Sequence, residues 1–261
     1  MSSLSRQVAM DVYWLEQFEK DVPHEIHWLS ESEAKFLSSL RFAQRRASWR
    51  LGRWTAKRAL AIYFRLPDSL SSLSRIEIRP AASGAPEVFL EGQLAAISIS
   101  LSHRDGEALC AVAPDAIELG CDLELIEPRS DAFVADYFTA EEQALIAREP
   151  LGDRPLFLAL LWSVKESALK ALHTGLRLDT RSVVIDPLEM SRGLDHWKPL
   201  IARHAGEKVF HGWWQAAGSM VRTVVANPPP APPIALQIAA NISDASPRNA
   251  ASALLLGSRQ S

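Results

Sequence analysis

The stretch ELGCDLELI, residues 118–126, sets the hardest condition on any fold this chain can adopt. Its apolar content reads as a strand largely removed from water. Yet it carries Asp122 and Glu124 two positions apart. In a strand, positions i and i+2 leave from the same face, about 7 Å apart along the chain, while Leu123 and Leu125 turn to the other face and into a core. Two partly buried carboxylates on one face resist ionising unless a cation stands between them, and hard oxygen donors of this kind suit Mg²⁺. The same spacing also describes the wet side of an antiparallel sheet. Spacing alone leaves both readings open.

A second element bears on the first. LFLALLWSVKESALKALH reads as a long helix that ends before Gly175. Trp162, Glu166 and Lys170 fall at i, i+4 and i+8, on one stripe, with Lys165 beside them. That stripe is either an ordinary Glu–Lys pair in solvent or a third carboxylate turned toward Asp122 and Glu124. In the latter case the lysines would be companions for a phosphorylated ligand.

The remaining chain falls into two segments of similar make-up, each pairing a long helix with short strands. The first is bounded at residues 1–114. It opens with a strand near VAMDVYWL, then the helix LSESEAKFLSSL, where Ser30 and Glu33 have capping-box spacing, then a helix from about Ala43 to Phe64. Strands follow at SRIEIRP, PEVFL and AAISISLS. The second segment, ending at residue 240, opens with the strands ALCAVA and IELGCDLELI. Its short helix FTAEEQALIAR repeats the capping-box register at Thr139 and Glu142. Strands RSVVID, KVFHGWWQA and MVRTVVA close it, and NPPPAPP is too stiff for a central strand. Residues 241–261 form an Ala/Ser-rich tail of the kind that frays. No short internal repeat stands out.

In QRRASWRLGRWTAKRAL, Arg46, Arg50, Arg53 and Lys57 make one cationic stripe. It is either a solvated face or a set of phosphate contacts. In ISISLSHRDG strict alternation points His103 with the isoleucines, unless the strand ends at the turn-forming Arg104-Asp105-Gly106. A Ser-His-Asp hydrolase is disfavoured because no G-x-S-x-G elbow is present. There is no G-x-G-x-x-G and no Walker loop, and HEIH at residues 24–27 lacks metalloprotease spacing.

Composition bounds the class. With 261 residues, 48% apolar and 23% charged, the chain reads as soluble and globular with room for a sizeable core. Cys110 and Cys121 form no ligand pattern, which speaks for a reducing compartment and against zinc. The first residues show no signal-peptide h-region, and LFLALLW is far short of the ~20 residues of a bilayer span. A cytoplasmic protein is expected. A net charge of -3 does not advertise nucleic acid.

Together the motifs resemble the 4'-phosphopantetheinyl transferases, of the large type that activates surfactin synthetase. The matching elements, in order, are Gly84-Ala85-Pro86, the Ser102-His103 of SLSHRDG, Gly120-Cys121-Asp122-Leu123-Glu124, and the run Trp162 to Lys170 reading WSVKESALK. The resemblance covers roughly residues 30–225. It implies an α+β fold of two similar halves related by a pseudo-two-fold, each a small antiparallel sheet on a long helix, with coenzyme A in the cleft between them and the chain acting as a monomer. It implies transfer of the phosphopantetheine arm of coenzyme A to a serine of an apo acyl or peptidyl carrier protein, releasing adenosine 3',5'-bisphosphate, with no nucleic-acid or membrane partner.

Carried over residue by residue, it makes Asp122, Glu124 and Glu166 the Mg²⁺ ligands, with Mn²⁺ as an alternative. Lys165 and Lys170 become diphosphate contacts. Ser102 and His103 meet the coenzyme A phosphates, His103 at the 3'-phosphate, and Arg53, Lys57 and, more loosely, Arg46 meet the nucleotide phosphates. The catalytic set is then Glu166, Lys170 and Asp122. Glu142 is either a carboxylate near the metal or only a capping residue. The base for the carrier serine is Glu166, Glu142 or a metal-bound water. The chain departs from the family at Cys121 and at Arg104, which adds a cation beside the phosphates or beside an acidic carrier. The alternative function is a non-catalytic module that binds coenzyme A or a nucleotide and regulates.

Overall fold

The computed structural model describes residues 10–115, 117–173, 178–186, 196–204 and 208–238. The elements run β1 (Tyr13–Phe18), α1 (Glu31–Ser39), α2 (Ala43–Tyr63), α3 (Leu70–Ser74), β2 (Ile76–Pro80), β3 (Pro86–Leu90), β4 (Gln93–Leu94), β5 (Ile97–Arg104) and β6 (Glu107–Pro114). Then follow β7 (Glu118–Leu125), α4 (Asp131–Tyr137), α5 (Ala140–Arg148), α6 (Arg154–Ala171), β8 (Val183–Ile185), β9 (Lys198–His204), β10 (Lys208–Ala217), β11 (Met220–Asn227) and β12 (Ile234–Ala235).

The fold is α+β. One sheet has the order β12-β1-β6-β5, a second β7-β11-β10-β9-β8, and β2-β3-β4 form a small third. All ladders are antiparallel except β1 with β12. Helix α2 buries Trp54, Ala56, Ala59 and Leu60 in a core with Leu15, Ile99, Cys110 and Val112. Helix α6 buries Leu160, Leu161, Val164 and Ala168 in a core with Phe210, Trp214 and Val221. A third core lies between the sheets, where Leu109 and Ala111 of β6 meet Leu119, Cys121 and Leu123 of β7 and Val224 of β11. Each fully buried Leu or Val contributes on the order of 1.5–3 kcal/mol, so this seam ties the sheets into one body.

The strand ALCAVA (108–113), grouped by pattern with the second segment, pairs with β1 and β5 in the first sheet, on the first segment's side of residue 114. β12 lies late in the chain and returns to the free edge of β1 at Tyr13 and Trp14. Such an edge admits the proline-rich approach, and Pro230 makes a single bridge to Met10 there. The first strand starts at Tyr13, later than VAMDVYWL suggests. Helices α3 and α4 and strand β9 have no counterpart in the sequence reading. Gly175 and the 241–261 tail fall outside the described residues. No helix among the described residues is long and apolar enough to cross a membrane.

Each half repeats one internal device. Ser30 and Glu33 form a capping box at α1, and Thr139 and Glu142 form one at α5. Each capping glutamate is then covered and meets a buried lysine from the long helix, Glu33 with Lys57 and Glu142 with Lys165. Each long helix also donates a tryptophan N–H to the strand that opens its half. Trp54 bonds Gln17 Oε1 at 3.1 Å and Trp162 bonds Glu124 Oε1 at 3.1 Å.

Candidate active site

The site is built where α6 lies on β7. Gly120 permits the approach: a Cβ there would stand 1.8 Å from the Ser167 carbonyl oxygen, so only glycine lets the helix settle this close. Cys121 and Leu123 face the inter-sheet core, while Gly120, Asp122 and Glu124 face α6. The stripe expected on the helix meets them. Lys170 Nζ donates to Asp122 Oδ1 at 2.7 Å and to the Cys121 carbonyl at 3.0 Å, and Trp162 reaches Glu124. Asp122 pairs across the ladder with Thr223, whose hydroxyl bonds Ser163 and Ser167 of α6 and fixes the helix in register.

Asp122 is almost fully buried. Its Oδ1 accepts from Lys170 and from Ser102 Oγ at 2.8 Å, while its Oδ2 is buried with no partner. Glu166 Oε1 is likewise buried and unpartnered. Burial, then the charges of Asp122 and Glu124, push the Glu166 carboxyl up to about 7 against the pull of Lys170. Burial and Asp122 also raise Glu124, with Arg104, Arg129 and the Trp162 N–H opposing. Burial alone would lower Lys170, but the negative groups led by Asp122 outweigh it and hold its proton more tightly.

The three carboxylates are therefore neighbours, but they do not close on one point. Among the described residues no group of three His, Cys, Asp and Glu side chains is disposed to hold a metal ion as it stands. The reason is visible in the bonds. Arg129 Nη2 donates to Glu124 Oε2 at 3.0 Å and Trp162 donates to Oε1, so both Glu124 oxygens are already engaged. What fits a divalent cation is the donor set itself: two buried carboxylate oxygens lacking any partner, with a third carboxylate beside them held by side chains alone.

Beside the carboxylates lies a cavity of about 1280 Å³. α2 lines it with Trp49, Gly52 and Arg53, the Gly84-Ala85-Pro86 turn forms one wall, and Lys170 and His173 come from the end of α6. β5 runs through Arg104 without ending at the turn, so alternation holds and His103 faces this space with Ile99 and Leu101. Burial, reinforced by the Lys170 charge, lowers the His103 pKa.

Several expected contacts are placed elsewhere. Lys57 Nζ is fully buried, pairs with Glu33 and donates to the Trp28 carbonyl at 3.0 Å. Lys165 Nζ is fully buried, 2.9 Å from Glu142, and donates to the carbonyls of Thr180 and Val183. Neither ammonium faces the cavity. In an α-helix successive residues diverge by about 100°, so Lys165 turns inward where Glu166 turns toward β7. Arg46 is spent on the carbonyls of Leu40 and Arg41, joining α1 to α2. Arg50 holds the carbonyls of Pro23 and His24. Of the cationic stripe only Arg53 lines the cavity, stacked 5.0 Å over Trp49. Ser102, on the opposite face of β5 from His103, serves Asp122. Glu142 caps α5 and pairs with Lys165, while its Oε1 is buried without a partner. Arg104 pairs with Glu127 at 2.7 Å.

The sequence reading missed Gly120 as a contact point, Trp162 as a donor to Glu124, and Arg129, Glu127 and His173. Only the glycine and tryptophan carried a signal, from their fixed places beside the carboxylates in the two motifs. Residues 118–213 match the model of the 4'-phosphopantetheinyl transferase superfamily. No curated protein matches the chain. Among solved structures, the holo-[acyl-carrier-protein] synthase (AcpS) of Thermotoga maritima is similar at 20% identity with a TM-score of 0.33, over 50% of this chain and 76% of that one. The matched segment spans Asp122, Glu124, Glu166 and Lys170 and covers somewhat over a third of the chain.

Proposed function

We propose that the protein transfers the 4'-phosphopantetheine arm of coenzyme A to a serine of an apo acyl or peptidyl carrier protein and releases adenosine 3',5'-bisphosphate. The observation that carries this reading is the pair of unpartnered buried oxygens, Asp122 Oδ2 and Glu166 Oε1, next to a lysine that also lines a large cavity. The match of residues 118–213 to the 4'-phosphopantetheinyl transferase superfamily supports the type of transfer. Asp122, Glu166 and Glu124 would hold Mg²⁺ or Mn²⁺, which when bound lowers the negative charge of a diphosphate for attack.

The chain's own groups then divide the work. Lys170, anchored by Asp122, presents its ammonium at the cavity edge, where charge develops on the transferring phosphate. His103 and Arg53 line the same cavity and suit the phosphates of the nucleotide end. Trp49 and the Gly84-Ala85-Pro86 turn bound the space. Glu166, whose carboxyl stands near 7 in the ion-free protein, is assigned the serine proton.

Incubation with coenzyme A, Mg²⁺ and an apo-carrier domain tests the proposal. Transfer adds ~340 Da to the carrier serine and the Asp122→Ala variant does not. Binding of coenzyme A without that gain marks a regulatory module instead, and neither result ends both readings.

A further inference from the structure

The repeated device in the two halves separates frame from function. In the first half, Leu15, Arg58 and Ile62 occupy the places of Asp122, Glu166 and Lys170, counted from Gln17 and Trp54 as these are from Glu124 and Trp162. The tryptophan bond to the opening strand is made in both halves, so it belongs to the frame. The two differ at the far end of the strand residue. Gln17 Nε2 donates to Asp21 Oδ2 at 3.5 Å, whereas Glu124 Oε2 accepts from Arg129. The guanidinium accompanies the carboxylate.

Arg129 is firmly seated. Its Nη2 is also 3.2 Å from Glu127 Oε1, and its guanidinium carbon lies 5.2 Å over the Phe133 ring, itself against Trp162 at 5.1 Å. Glu127 is held in turn by Arg104 Nη2, whose Nε stays 4.0 Å from Glu124 Oε2. The result is a four-membered chain, Arg104–Glu127–Arg129–Glu124, reaching from the end of β5 to the carboxylates. Arg129 has two acidic partners, one in the site and one outside it.

We propose that Arg129 is a positioning residue that serves Glu124 as a resident counter-cation, holding it in the ion-free protein and yielding it to a divalent ion while remaining on Glu127. This rests on the reading of Asp122, Glu124 and Glu166 as ion-binding carboxylates. Arg129 opposes the ion twice, by occupying Oε2 and by adding positive charge nearby. Glu127 assists the ion by offering Arg129 a second place. Removing one should therefore tighten ion binding and removing the other should weaken it, each by about three- to tenfold for partly exposed charges a few ångströms apart.

The test is Mn²⁺ titration of the full chain, stripped with EDTA and free of coenzyme A, followed by electron paramagnetic resonance, with thermal melts alongside. Arg129→Gln should lower the Mn²⁺ Kd and Glu127→Gln should raise it. Arg104→Gln changes the net charge equally but removes the more distant guanidinium, so it should shift Kd less than Arg129→Gln. A merely structural role would lower Tm and leave Kd unmoved, and equal shifts for the two arginines would assign the effect to net charge; either overturns the proposal. If Arg129→Gln does not fold, a Glu127→Gln Kd that is unchanged or tighter overturns it. Wild-type protein that binds one Mn²⁺, lost in Asp122→Asn, keeps the carboxylate reading standing even when the arginine result fails. Wild type that binds none brings both down.

Discussion

Lys165→Met separates the two roles a motif lysine can have. In the structure Lys165 Nζ is fully buried, 2.9 Å from Glu142 and donating to the carbonyls of Thr180 at 3.0 Å and Val183 at 2.6 Å. Burial lowers its pKa and the Glu142 charge opposes that. Removing one member of such a pair strands the other in a low-dielectric setting and costs about 3–5 kcal/mol. Two carbonyls also lose their donor, which keeps the expected loss at the upper end of that range. Urea unfolding followed by tryptophan fluorescence should show the midpoint falling with little change in slope, and Glu142→Gln added to Lys165→Met should recover part of the loss. Glutamine at the third helical position preserves the capping box while removing the stranded charge. Lys57→Met, breaking the mirror pair with Glu33, should cost a similar amount. At low temperature, where the variant is still folded, its affinity for coenzyme A should remain near that of wild type. A Lys165→Met protein that unfolds at the wild-type urea concentration but has lost coenzyme A binding would refute the argument and return Lys165 to the diphosphate.

Two further outcomes follow from the site. Glu166 titrates at about 7 in the folded protein against an ordinary 4.5, so the folded state holds a proton that the unfolded chain releases. Glu166 therefore costs nothing below about pH 4.5, and the cost grows to about 2–3 kcal/mol above pH 7 at about 1.4 kcal/mol per tenfold in proton affinity, less some screening by solvent. The stability gain of Glu166→Gln over wild type, measured in EDTA, should be small at pH 4.5 and largest at pH 8; a gain that does not change with pH would refute it. Lys170→Ala removes the charged donor of Asp122 Oδ1 and the ammonium at the cavity edge. It should weaken coenzyme A binding by roughly 10- to 100-fold, the worth of one charge-assisted hydrogen bond, as read by calorimetry, and an unchanged Kd would remove Lys170 from the site.

What was legible in the sequence was periodic. Alternation put Asp122 and Glu124 on one face, the i, i+4, i+8 spacing put Trp162, Glu166 and Lys170 on one stripe, and two capping boxes gave helix starts that the structure keeps at Ser30 and Thr139. What was not legible depended on the third dimension. Lys165 and Glu166 are neighbours in the chain and look like one cluster, yet helical rotation sends one inward and the other to the site. Arg46 and Arg50 look like parts of one phosphate-facing stripe with Arg53, but loop carbonyls reach them first. β9 escaped notice because KPLIARH carries a proline and two basic residues in a strand that borders β8 and β10. A signal for the buried lysines was present: Trp-x-x-Lys occurs at 54–57 and again at 162–165, each following a capping box at nearly the same distance.

That recurrence changes how the motif should be weighed. The first half builds the same frame, with glutamate capping a helix, lysine buried against it and tryptophan bonded to the opening strand, while carrying leucine, glutamine and arginine where the second half has three carboxylates. The frame therefore does not need the acids. Their presence in the second half leaves Asp122 Oδ2 and Glu166 Oε1 buried without partners, which costs stability and has no compensation among the described contacts. A penalty taken on one side of a duplicated fold and avoided on the other is a stronger sign of function than the motif spelling. The spelling also includes Lys165, whose counterpart Lys57 sits in a half that lacks those acids. By the same comparison the groups found only in the second half are Asp122, Glu124, Glu166, Lys170 and the guanidinium of Arg129, and the proposed transfer rests on this set.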